Sequence, residues 1–348
     1  MDLSAYIYAA PEMVLLGLVC VVLVADLFVD HEHRLATFWM TMASLGVTLW
    51  VLLATAPEAR TVVFSNAYVS DPLSLVLKVS AVGFVALAFL YSRDYLRAND
   101  LHKGEFYVLG LIGLLGMMIM ISANSLLTMY LGLELLSLSL YALVAYKRDS
   151  AVAAESAMKY FVLGAIASGC LLYGISWVYG VTGTLQFHEI AAAVSVDPSL
   201  NNLPLWFGLT FLIVGIAFKF GAVPFHMWLP DVYEGARSPV TLYLASAPKL
   251  AALALTLRIL VDGLGGLHET WSSMILVVLP TLLASPESRK GTMSHLTATR
   301  MSLQSPNQMA LCASSDNPAP GSTAATLDQD LTNKVEWLWW MQCQARSP

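Results

Sequence analysis

Charge is what this sequence has least of. Only 12% of its 348 residues are Asp, Glu, Lys or Arg, about half the share of an ordinary soluble domain. So little charged side chain cannot cover a water-facing surface of this size, which excludes a soluble globular protein, a disordered chain and a coiled coil. The net charge of −6 offers phosphates no basic surface, so no nucleic-acid partner is expected. Cysteine is nearly as scarce. Cys20, Cys170, Cys312 and Cys343 are scattered, and no two have C-x-x-C spacing. That excludes a disulfide scaffold, a zinc ribbon and an iron–sulfur cluster. A Walker loop, a nucleophile elbow and an H-E-x-x-H pair are also missing. Gly263-Leu264-Gly265-Gly266 follows no strand pattern and opens no helix, so it is not a dinucleotide site. The expectation is a chain that binds no cofactor and no metal itself.

What is abundant is apolar sequence, at 57%. A bilayer-crossing helix needs about 17–25 apolar residues. Eight runs qualify: 11–29, 37–55, 71–91, 105–122, 124–146, 157–180, 204–227 and 240–262. A ninth starts near Trp271 and stops near Ala284. The runs are rich in Leu, Ala, Gly and Met and do not alternate, which excludes a membrane β-barrel. The leader before the first run, Met1–Glu12, has no Lys or Arg, so the first run reads as a retained span rather than a cleaved signal. The loops after runs 1, 3, 5 and 7 carry Arg34, Arg93, Arg97, Lys103, Lys147, Arg148 and Arg237; those after the even runs carry only Arg60. The positive-inside rule therefore places the odd loops in the cytoplasm and the N-terminus on the outer face. Beyond Ser285 the chain becomes polar and Ser/Thr-rich, with no apolar run long enough to span.

The charges inside the runs carry the functional signal. Each costs about 2.5–3.5 kcal/mol at the bilayer centre on insertion scales, so such residues face protein or water and mark ion paths. Glu134 is central in the fifth run and too short to snorkel. With Tyr130, Ser137 and Tyr141 it forms one polar stripe at helical spacing. Lys219 stands five residues before Pro224, whose ring clashes with the carbonyl of Phe220, so the seventh run is expected to break beside the lysine. His226 lies seven residues on, two turns along the same helical face, and completes a candidate proton relay. Lys249 is central in the eighth run. Lys159 and Lys78 sit nearer run ends, where function and snorkelling are both open. Arg258 and Asp262, four apart, read as an interfacial ion pair, and Asp26 as a residue reaching the interface.

The stretch Lys219-Phe-Gly-Ala-Val-Pro-Phe-His-Met-Trp-Leu-Pro-Asp-Val-Tyr-Glu-Gly-Ala236, followed by Ser238-Pro-Val-Thr241, resembles the antiporter-like subunits of respiratory complex I and of cation/proton antiporter complexes. Met129-Tyr-Leu-Gly-Leu-Glu134, Met158-Lys-Tyr-Phe-Val-Leu-Gly164 and Ala247-Pro-Lys-Leu250 are similar to the branch formed by subunit N of bacterial NADH-quinone oxidoreductase and its mitochondrial counterpart, subunit 2. The resemblance covers about residues 1–283. It implies an all-α polytopic membrane protein with a broken seventh helix and, from inverted repeats in a family of about fourteen helices, only the first repeat. The implied division is 1–104 for helices 1–3, 105–265 for a proton-channel repeat of helices 4–8, 266–284 for part of helix 9, and 285–348 for a tail outside the family pattern.

The resemblance also implies roles. Glu134 matches the glutamate that pairs with the broken-helix lysine, Lys219. Lys249 matches the next lysine of a central hydrophilic axis, Lys159 a lysine on the uptake side, and His226 a polar residue beyond the break. The implied function is proton conduction across the bacterial inner membrane, with NADH, flavin, iron–sulfur clusters and quinone handled by other membrane-arm and peripheral subunits. A cation/proton antiporter subunit and a non-functional truncated scaffold are the alternatives. The abrupt change near Ala284 leads us to expect a reading-frame shift or mis-assembled gene beyond it, with no counterpart of the exit-side lysine. Translating the other two frames past codon 284 tests this.

Overall fold

The computed structural model describes residues 3–29, 35–99, 103–196 and 203–283; the polar segment beyond Ala284 and the loop cation Arg34 lie outside them. Helices dominate. A short α1 (Leu3–Tyr8) leads into α2 (Ala10–Asp26) and α3 (Leu35–Ala54). A two-stranded antiparallel hairpin follows, β1 (Thr61–Val63) and β2 (Tyr68–Ser70), with Val62 opposite Val69. Then come α4 (Pro72–Ala98), α5 (Gly104–Ile121), α6 (Leu126–Val144), α7 (Ala151–Thr182), α8 (Phe187–Val196) and α9 (Leu203–Phe220). The rest is α10 (Trp228–Gly235), α11 (Ser238–Ala245), α12 (Ala247–Thr256), a π-helical segment (Leu257–Gly263), a 3₁₀ turn (Gly265–Leu267) and α13 (His268–Leu283).

Among the described residues, seven helices are long and apolar enough to cross a membrane, counting α11, α12 and the π segment as one continuous stretch, Ser238–Gly263. The first expected run corresponds to α2, only 17 residues long, and so stands outside that seven. The other expected runs each fall on one of the seven, though α7 starts six residues before the expected 157. The hairpin and α8 were not anticipated. Three-residue strands and a ten-residue helix give too few residues for a period to register.

Helix ends follow local chemistry. Asp71 caps α4: its Oδ1 accepts from Ser74 N at 2.8 Å, while Ser74 Oγ accepts from Asp71 N at 3.0 Å. Ser125 and Ser150 cap α6 and α7 with one bond each, their hydroxyls accepting from Leu127 N and Ala153 N. Large apolar side chains such as Leu87, Leu131, Ile166 and Phe207 point outward, as expected of helices solvated by hydrocarbon.

Helix pairs approach closely through glycine. A Cβ on Gly116 of α5 would lie 2.6 Å from the backbone nitrogen of Leu136 and 2.8 Å from the carbonyl of Gly132 on α6. Gly174 on α7 meets the Gly208 carbonyl of α9 at 2.8 Å in the same sense. Small residues let helix backbones touch where no hydrophobic drive separates helix from lipid. The two contacts seat the helices that carry Glu134 and Lys219. Gly116→Ala is expected to force α5 and α6 apart and to destabilise by about 1–3 kcal/mol. A lowered thermal unfolding midpoint in lipid nanodiscs is the check.

Candidate functional site

The sequence predicts a helix break beside Lys219, and α9 does end at Phe220. The stop comes earlier than the proline. Gly221 takes a left-handed φ of 73°, its N–H donates to Phe218 O at 2.9 Å, and Ala222 N donates to Ala217 O at 2.9 Å. This is a glycine-closed Schellman end. Residues 221–227 are not α-helical, so the expected helical face linking Lys219 to His226 does not exist. Among the described residues no hydrogen bond or ion pair joins His226 to either central lysine, and its Nδ1 is buried without a partner.

The last four carbonyls of a helix lack intrahelical partners. Here the Schellman bonds serve Ala217 and Phe218. The other two are served by a side chain from another helix: Lys249 Nζ on α12 donates to Lys219 O at 2.9 Å and to Phe220 O at 3.0 Å. An ammonium at a helix C-terminus also meets the negative end of the helix dipole. Lys249 is therefore the C-cap of the helix that carries Lys219. Removing it in Lys249→Ala leaves two carbonyls without that donor, at a cost of about 1–3 kcal/mol for each one left dry. Faster hydrogen exchange at residues 217–222 is the expected sign.

Lys219 itself reaches α6. Its Nζ donates to Ser137 Oγ at 2.8 Å, and Ser137 Oγ donates in turn to Leu133 O at 2.6 Å. Glu134, one turn earlier on the same face, interacts electrostatically with Lys219, but its Oε1 is buried with no hydrogen-bond partner. A small cavity of about 30 Å³, room for about two waters, is lined by Ser137, Tyr160, Lys219, Trp228 and Lys249. Trp228 closes it. Its ring stacks on Tyr160 at 4.7 Å and on Phe218 at 5.3 Å, its Nε1 donates to Phe218 O, and Lys249 Nζ lies 5.3 Å from its centroid. Lys219 and Lys249 thus share one small cavity, and Glu134 acts on Lys219 electrostatically without lining it.

Lys159 does not join them. It is half-exposed on α7 and pairs with Glu155 at 3.0 Å and with Asp231 on α10 at 3.1 Å. The contact ties α10 to α7. Exposed pairs of this kind contribute about 0–1 kcal/mol, so Lys159→Ala is expected to leave the unfolding midpoint nearly unchanged.

Two further charge clusters were missed or misplaced by sequence reasoning. Lys78 does not snorkel: it is 3% exposed and ion-pairs with Glu12 on α2. The hydroxyl of Tyr68 joins them, accepting from Lys78 Nζ at 2.9 Å and lying 3.0 Å from Glu12 Oε2. Burial, reinforced by the Glu12 carboxylate, pushes the Tyr68 phenol above its ordinary range, so it stays a donor. Arg258 does pair with Asp262, at 2.8 Å, but it is buried rather than interfacial, and its Nη2 donates to Asp71 Oδ1 at 2.8 Å. Its Nε donates to Ile121 O at the end of α5. Asp26, the last residue of α2, accepts from Thr37 Oγ1 at 2.8 Å. The i, i+7 spacing of Asp71 and Lys78 was visible in sequence; their partners on α2 and the π segment were not. Among the described residues, no group of three or more His, Cys, Asp or Glu could hold a metal ion.

Residues 123–285 match the family described as NADH:quinone oxidoreductase/Mrp antiporter, TM. The chain is 52% identical over 284 residues to NADH-quinone oxidoreductase subunit N of Thioalkalivibrio sulfidiphilus, covering 81% of this chain and 59% of that protein. It is 53% identical over 272 residues to subunit N of Halorhodospira halophila, covering 78% and 55%. A chain of respiratory complex I from Thermus thermophilus superposes with a TM-score of 0.60 at 31% identity, over 71% of this chain and 52% of that one. The chain spans a little over half the length of the curated relatives it matches. Residues 123–285 are thus similar to the NADH:quinone oxidoreductase/Mrp antiporter membrane family, and the two curated proteins compared above are NADH-quinone oxidoreductase subunit N proteins.

Proposed function

We propose that this chain is a proton-conducting membrane-arm subunit of an NADH:quinone oxidoreductase in a bacterial inner membrane. Other subunits then oxidise NADH and reduce quinone, and this chain supplies no redox centre. One observation carries the reading: Lys219 and Lys249 line one small cavity between apolar helices, and Glu134 acts electrostatically on Lys219 from the same face of α6. In this reading α2 is the first of eight spans, α9 and α10 are the halves of a broken helix, α13 begins a ninth span, and α5 to α12 form one proton-channel repeat with the N-terminus outside. Lys159 lies on the uptake side, and His226 serves beyond the break through water.

Each group has a role that its surroundings support. Lys219 holds a transferable proton and chooses between acceptors on α6. Glu134 offers a carboxylate that favours the charged lysine. Lys249 receives the proton next, and its grip on the end of α9 couples its charge to the helix that carries Lys219. Two ammonium groups so placed repel, so charge arriving on one drives charge from the other. Waters in the cavity provide the hops.

The test is expression in a host whose own subunit N gene is replaced by this one. The expected result is co-purification with a multi-subunit assembly that reduces quinone with NADH. Sodium-linked transport without NADH would make the chain an antiporter subunit, and no assembly and no transport would make it a scaffold; either result overturns the proposal.

A further inference from the structure

The ammonium of Lys219 has two acceptors on one face of α6. It occupies Ser137, at 2.8 Å, while Glu134 Oε1 stands buried and without a partner one turn away. Residues three apart on a helix share a face and differ by about 4.5 Å along the axis, within the sweep of a four-carbon lysine stem. Ser137 is 3% exposed, and its own proton is committed to Leu133 O, so its lone pairs are turned to the lysine. The hydroxyl is therefore a fixed acceptor, not a rotor that could also donate toward Glu134.

We propose that Ser137 is the positioning residue that holds Lys219 off Glu134 and so sets how often the two charges close on each other. This rests on the proton-conduction reading above and assigns a device inside it. A carboxylate is the stronger partner for an ammonium, because a charge-assisted bond exceeds one to a neutral hydroxyl. Without a competing seat the pair would stay closed and the proton would stay on the lysine. Ser137 supplies the competing seat. Its distance from Glu134 makes the exchange a swing of one side chain, with no helix motion needed.

The experiment uses the chain in its assembled complex, in membrane vesicles at matched quinone reductase content. Ser137→Ala removes the seat and is expected to slow NADH-driven proton uptake roughly tenfold, the equilibrium shift expected from losing one hydrogen bond to a charged group. Ser137→Thr keeps the hydroxyl and is expected to restore uptake. In difference infrared spectra, Ser137→Ala is expected to shift the carboxylate band that disappears in Glu134→Gln, because the lysine now rests on that carboxylate. Should the alanine variant fail to assemble, Ser137→Cys, of similar size but a weak acceptor, is expected to show the same slowing and the same band shift. Uptake unchanged in the alanine or cysteine variant, or a threonine variant as slow as alanine, would overturn the assignment. If Lys219→Ala also left uptake unchanged, the conduction reading itself would fall, so the two failures are distinguishable.

Discussion

Arg258→Ala is expected to destabilise the protein by about 3–5 kcal/mol, the usual consequence of removing one partner of a buried ion pair and leaving the other charge behind. The side chain joins three elements at once. It donates to Asp71 at the start of α4, to Ile121 O at the end of α5, and to Asp262 one turn along its own π-helical segment. The stranded group would be Asp71, buried at 7% exposure. Burial alone would raise the Asp71 carboxyl, but the hydrogen bond and charge of Arg258, together with the hydrogen bonds of Ser74, outweigh it and hold the group below the ordinary carboxylate range. The sign follows from that direction. A carboxyl whose folded value is depressed stabilises fully above its unfolded value, about 3.9, and loses that contribution as pH falls through the folded value. Native protein should therefore keep this clamp at neutral pH and lose it only in strong acid. In Arg258→Ala the acid loss should be smaller, since only the Ser74 hydrogen bonds then favour the carboxylate over the neutral acid. Unfolding midpoints between pH 3 and pH 7 in nanodiscs would show both effects.

Lys219→Ala is expected to abolish proton conduction, a fall of roughly a hundredfold or more, as for loss of a proton-transfer group. Three features meet at this residue. Its side chain reaches α6, its backbone carbonyl is held by Lys249, and it lines the cavity where water can sit. Alanine removes the carrier but leaves the carbonyl, so the Lys249 cap on α9 should persist and the fold should hold. Loss of conduction without loss of assembly separates this prediction from the one for Arg258.

Much of this was legible because charge is so scarce. In a chain of apolar helices, Glu134, Lys219 and Lys249 stand out by exclusion, and the Lys219–Ala236 stretch names the family pattern by itself. The seventh run was expected to extend over 204–227 with a break beside Lys219, whereas α9 ends at Phe220: proline marks the region, while the left-handed Gly221 and a lysine thirty residues away close the helix. Glu12 was read as part of a leader, because nothing local says that it will meet Lys78 across 66 residues of chain. Arg258 and Asp262 were recognised as a pair from their spacing, yet burial and the third member, Asp71, depend on how α4 docks against the π segment. The helical face expected to join Lys219 to His226 failed for a simpler reason. A helical period was carried across a stretch that is not α-helical.

In the proposed function, protons cross through Glu134, Lys219 and Lys249. NADH-driven proton uptake into vesicles tests it most directly, with the wild-type chain compared against Glu134→Ala and Lys219→Ala at equal amounts of assembled complex. Uptake is expected in the wild type and only background in both variants. Uptake at the wild-type rate in either variant, with the complex intact, would contradict it.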